Sequence, residues 1–178
     1  MEKNVSVWKA NINNGLILGM LSIVYTLVMY FLDLMFNKAQ GYIFLLVLIV
    51  VIFFMLKSYR DNYLHGFIKY GQSVGAGVII FLYLSIISAI FTYILYKFID
   101  PGLIEKQLAM VEETLVNRGM PQQAIDSGMA VQRKIMVPEI IAPLSILSIM
   151  FYGTVISLLV SIFVKKEGNP LIDIPDNR

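Results

Sequence analysis

The sequence contains no cysteine, one histidine and one tryptophan, and its net charge is only +2. Without cysteine there is no disulfide, no thiolate metal site and no cysteine nucleophile. His65 stands alone, and one histidine without acidic residues at ligand spacing does not build the usual zinc site. Ser85, Ser88, Ser145, Ser148 and Ser157 fall in apolar segments remote from His65, so no set of nucleophile, base and orienting group assembles. Glu112 and Glu113 are adjacent, and adjacent residues on a helix point in different directions, so they suit a solvated face better than an acid/base pair. A charge so close to neutral gives no reason to expect a nucleic-acid partner. These absences lead to the expectation of a protein that is not an enzyme and carries no cofactor and no metal.

Charge is scarce throughout. Charged residues make up 15% of the 178 positions and hydrophobic residues 58%, against about 25% and about 45–50% in a soluble domain. The mean hydropathy is +0.75. The apolar excess lies in four runs, expected as membrane spans over 15–36, 41–59, 74–98 and 138–164. A helix needs about 20 apolar residues to cross the hydrocarbon core. The fold class expected is therefore all-α: one polytopic membrane domain of four transmembrane helices, with the lipid bilayer as its solvent. The polar start MEKNVSVWKANINNG leads directly into a full-length span, so the first helix is expected to be retained rather than cleaved as a signal peptide. No lipidation motif stands out.

The segment between the third and fourth spans, 100–137, has its own pattern. Asp100-Pro101 is a helix-start signal. Ile104, Leu108, Val111 and Leu115 then fall on one stripe, with Glu105, Lys106, Glu112, Glu113 and Arg118 among the remainder, as in an amphipathic helix closed by Gly119. Pro121 opens a second helical stretch, with Ile125, Met129, Gln132 and Met136 on one side. Four spans place both termini on one side together with the loop after the second helix. That side carries Lys3, Lys9, Lys57, Arg60, Lys69, Lys165, Lys166 and Arg178, against Lys38, Lys97, Lys106, Arg118, Arg133 and Lys134 opposite. The basic excess favours cytoplasmic termini and a cytoplasmic tail over 165–178, with 100–137 external.

Three groups of residues are candidates for packing or interaction. Gly15 and Gly19, Gly71 and Gly75 (with Ser73 and Gly77), and Gly153 with Ser157 and Ser161 are small residues four apart, a spacing that lets helix backbones approach closely within one subunit or across a dimer face. Gly75-Ala76-Gly77 is not a phosphate loop, because no strand precedes it and no GK[ST] element follows. Asp33 is the one acid expected inside a span; it falls near the external interface, where Lys38 or headgroup water can satisfy it. Arg60 and Asp61, within the polar cluster from Tyr59 to His65, suit a lipid phosphate, a partner carboxylate or the helix ends.

The Gly-rich first helix, Tyr59-Arg60-Asp61, the glycines opening the third helix, Ile99-Asp100-Pro101, the acidic loop helix, Gly153 and the closing Lys165-Lys166 follow one another in an order that resembles the family catalogued as domain of unknown function 4199. The resemblance implies a four-helix inner-membrane protein, mainly of Bacteroidetes, with no assigned activity and no catalytic residues to carry over. It also implies a membrane glycosyltransferase encoded nearby, as a candidate partner. The function expected is an accessory or scaffolding subunit of an envelope complex, acting with a membrane-protein partner or as a homo-oligomer. The alternative is a small-solute transporter or channel working as an oligomer. That alternative lacks a row of polar residues through the spans and a pair of broken helices, with Pro143 the only internal break signal.

Overall fold

The structure is a computed structural model and describes residues 6–168, apart from the side chain of Lys38. Lys3, Arg178 and the tail beyond Gly168 lie outside the described residues, as does the pairing expected between Asp33 and the Lys38 side chain. Six α-helices follow in order: α1 (Val7–Phe31), α2 (Lys38–Tyr63), α3 (Tyr70–Ile94), α4 (Gly102–Asn117), α5 (Gln122–Ile135) and α6 (Pro138–Val164). A π-helical turn, Leu95–Ile99, extends α3. Among the described residues, four helices are long and apolar enough to cross a membrane: α1, α2, α3 with its π turn, and α6. The chain is a multi-pass α-helical membrane protein.

The first span begins a full two turns before the expected residue 15. The polar residues at its start have the composition of a terminus, yet they are satisfied within the helix. Asn11 is fully buried, donates to the Val7 carbonyl at 3.0 Å, and accepts from Asn14 at 3.2 Å. The same span ends at Phe31, short of the expected 36. Asp33 stops it. With φ of 55° it occupies the left-handed region that Asp tolerates better than most residues, and that commonly closes helices. The apolar Leu34, Met35 and Phe36 hide this stop, because they continue the hydropathy of the span through a turn.

α3 is the central helix. It packs along α6 on one side and α1 on the other. Gly153 of α6 lies against Phe81, and a Cβ there would collide with its ring. A Cβ on Gly77 would stand 2.8 Å from the Ser157 Cβ. Ser161 donates to Ser73 at 2.9 Å between fully buried hydroxyls. On the other side Gly15 receives Tyr83, and a Cβ on Gly19 would stand 2.5 Å from Ile87. Ser22 and Ser88 pair hydroxyl to hydroxyl at 2.9 Å. Small residues facing large ones let the backbones close in, and dispersion across that contact replaces the hydrophobic drive that is absent between helices in lipid.

Gly71 and Gly75 make no such packing contact within the chain. A Cβ at either would meet nothing within 4 Å. Two residues further along their own spacing, Ser73 and Gly77 hold the packed register. The helix turns Gly71 and Gly75 away from both neighbours, a choice of face that residue size alone does not specify.

α4 and α5 form a hairpin over one end of the bundle. Leu108, Ile125, Met129 and Met136 make its own small core, with Ile104, Val111 and Leu115 against it. Both stripes expected from the sequence face inward. Asp100 accepts the Gly102 amide at 3.0 Å, which satisfies one free donor at the start of α4.

Candidate functional site

Two ends of the bundle concentrate the polar chemistry. At the end where α1 begins and α6 finishes, Tyr59-Arg60-Asp61 lies in the last turns of α2 rather than in a loop, because the left-handed stop falls later, at His65 (φ 51°) and Gly66 (φ 83°). Arg60 forks onto the Asp61 carboxylate at 2.7 and 3.3 Å, and its remaining arm donates to the Val164 carbonyl at 3.0 Å. It thus caps the C-terminus of α6, where a cation also meets the negative end of the helix dipole. Of the roles open to Arg60 and Asp61 in the sequence, the geometry displays the helix-end one. One antiparallel bridge, Ile68 with Lys166, completes this end through two backbone hydrogen bonds of 2.9 and 3.0 Å.

At the hairpin end, polar contacts gather where the spans meet the roots of the α4–α5 unit. Tyr30 donates to the Asp100 carboxylate at 3.2 Å. Lys97, on the π turn, donates to Glu139 at the start of α6 at 2.5 Å and to the Tyr93 hydroxyl at 2.6 Å. Lys106 stands 3.8 Å from Asp33, whose side chain is 94% exposed. So exposed and loose a pair contributes at most about 1 kcal/mol. Asp33 therefore lies in the turn after α1 rather than within the helix of the span. Within the hairpin itself, Arg133 reaches Glu105 at 3.7 Å.

Between the spans and α4 lies a polar chamber of about 340 Å³. Thr26 and Met29 of α1 line it, with Met35 and Phe36 from the turn, Gln40 of α2, Thr92 of α3, Leu95 and Tyr96 of the π turn, and Gln107 of α4. Every polar side chain in this lining is uncharged. Thr26 donates to the Ser22 carbonyl at 2.8 Å and Gln40 to the Met35 carbonyl at 3.2 Å, which leaves the acceptor lone pairs of Thr26 and the carboxamide oxygen of Gln40 for other partners. The π turn sets the upper wall. Its signature bond runs from the Asp100 amide to the Leu95 carbonyl at 2.8 Å. One residue more per turn rotates the chain beyond it by about 100° relative to a continuous α-helix, and such bulges occur often at functional sites. Sequence reasoning missed this chamber. Thr26, Gln40, Thr92 and Gln107 are single polar residues on four different elements, and no spacing along the chain links them.

A second cavity is apolar. It covers about 580 Å³ between α2 and α6, floored by Phe81, Leu84 and Ser88 of α3 and walled by residues such as Leu48 and Tyr152. It exists because α2 leans on α1 at the hairpin end, where Tyr25 stacks on Phe44 at 4.6 Å, and meets α6 at the other end through Arg60. Among the described residues no group of three or more His, Asp or Glu side chains converges, so no residues offer themselves as metal ligands.

Fold and site together define a four-span membrane protein with a helical hairpin over one end and a neutral polar chamber beside it. The family model described as protein of unknown function (DUF4199) matches residues 13–166. The chain belongs to that family, as its resemblance indicated. No curated protein and no solved structure matches it.

Proposed function

We propose that the protein is an accessory or scaffolding subunit of an envelope complex in the bacterial inner membrane, without chemistry of its own, with both termini in the cytoplasm and the α4–α5 hairpin outside. The observation that carries this reading is the mounting of the hairpin. Its own core, the packing of Leu103 at its root against Leu95 and Tyr96 of the π turn, and the Tyr30–Asp100 hydrogen bond just before α4 seat it on the end of the bundle. Its outward face, with Glu112, Glu113 and Asp126 exposed, is thereby presented to a partner. Pre-organising a surface lowers the cost of binding to it. The alternative of an oligomeric small-solute transporter draws on the chamber, but below the chamber α1 and α3 close through Ser22 with Ser88, Gly19 with Ile87 and Gly15 with Tyr83.

The test is purification of the tagged chain from native membranes in mild detergent. A stoichiometric membrane-protein partner should co-purify, with a membrane glycosyltransferase the first to look for. Glu112→Lys with Glu113→Lys should weaken the association at least tenfold while the chain stays folded. Recovery of the chain alone, together with solute flux in liposomes reconstituted from it, would refute the proposal in favour of the transporter.

A further inference from the structure

We infer that the chamber under α4 is a binding site for a small, uncharged, hydroxyl-rich group: a free polyol or hexose, or the sugar headgroup of a glycolipid. Three features lead there. The first is size, since about 340 Å³ lies at the lower end of the ~300–1,000 Å³ that ligand sites enclose. The second is the donor and acceptor set. Thr26, Thr92, Gln40, Gln107 and the Tyr96 hydroxyl offer hydroxyls and carboxamides, groups that both donate and accept, as a vicinal diol does. No charged side chain lines the space, so a phosphate, carboxylate or ammonium would lose its hydration without gaining a counter-charge. The third is the wall. Phe36 and Tyr96 supply flat apolar surface for the C–H faces of a sugar ring, and Tyr96, 8% exposed, is held by the π turn that departs from regular helix at this point.

The contribution of α4 is as informative as that of the spans. Gln107 comes from α4, outside the four spans, while every other polar group in the lining comes from a span. A ligand bound here would touch both the bundle and the hairpin and so add to the links between them. Binding at the chamber is independent of the scaffolding role: a chamber that binds and a chain that co-purifies with nothing would be separate results.

The experiment is saturation binding by scintillation proximity to the full chain in nanodiscs. Direct binding is needed because polyols stabilise proteins non-specifically by exclusion from their surfaces. Tritiated glucose and myo-inositol are the free probes, and a monoglucosyl diacylglycerol is the lipid probe. Glucuronate and glucosamine supply charge at matched size. Saturable binding of a neutral probe is expected, reduced at least tenfold by Thr92→Val and by Gln107→Leu, with glucuronate and glucosamine at least tenfold weaker than glucose. Binding of the free probes assigns the ligand to solution; binding of the glycolipid alone assigns it to the bilayer. Gln107 sits on the hairpin surface, so Gln107→Leu reads the site even where Thr92→Val disturbs packing. No saturable binding of any neutral probe, binding unchanged in Gln107→Leu, or equal binding of the charged analogues would overturn the inference.

Discussion

Gly153→Leu should destabilise the folded chain by about 3 kcal/mol or more, the upper range for overpacking. A Cβ at this position collides with Phe81, which is 1% exposed and belongs to the main core cluster. Relief requires either a shift of the Phe81 ring or a parting of α3 and α6, and the second forfeits the close contacts from Ser73 to Gly77 as well. Detergent-resistant folding, read by size-exclusion thermostability, should fall well below that of Gly71→Leu, because a Cβ at Gly71 meets open space. Adding Phe81→Ala should restore part of the loss, since the two positions touch and their effects do not add. Wild-type stability of Gly153→Leu would mean that this ridge does not carry the α3–α6 packing.

Leu108→Glu should have the next largest effect, and it should be local. Leu108 is 3% exposed at the centre of the hairpin core. An ionised carboxylate there has no partner, and leaving such a charge buried costs several kcal/mol. The hairpin is expected to detach and lose its helical order while the spans remain folded, which should speed tryptic cleavage at Arg118 and Arg133, whose side chains are already exposed. Glu112→Gln, on the exposed face, should leave cleavage unchanged. Equal protease resistance in Leu108→Glu would contradict the docked hairpin.

Hydropathy runs and the two amphipathic stripes were enough to locate four spans and the inward faces of α4 and α5. That has a physical reason: burial in lipid or in a small core is an average over many residues, and averages survive errors at single positions. The features that escaped the sequence depend on single residues. Asp33 ends α1 through one left-handed dihedral within an apolar stretch. Asn11 lies inside α1 because its own helix satisfies it. Of the two small-residue ridges the sequence offers in α3, Ser73 with Gly77 faces α6 and Gly71 with Gly75 does not, since small size marks a candidate contact but not which side of the helix a neighbour takes. The π turn and the chamber are assembled from residues far apart in sequence, each ordinary when taken alone.

Membrane topology tests the whole account most directly, because hairpin, chamber and proposed partner surface all depend on where α4 and α5 lie. The chain has no native cysteine, so single cysteines at Ser6, Asn117 and Glu167, all exposed, report without background. A membrane-impermeant maleimide applied to intact spheroplasts should label Asn117→Cys and leave Ser6→Cys and Glu167→Cys unlabelled until the membrane is opened. Labelling of all three from one side would contradict the four-span architecture, and labelling of only Ser6→Cys and Glu167→Cys would place the hairpin in the cytoplasm.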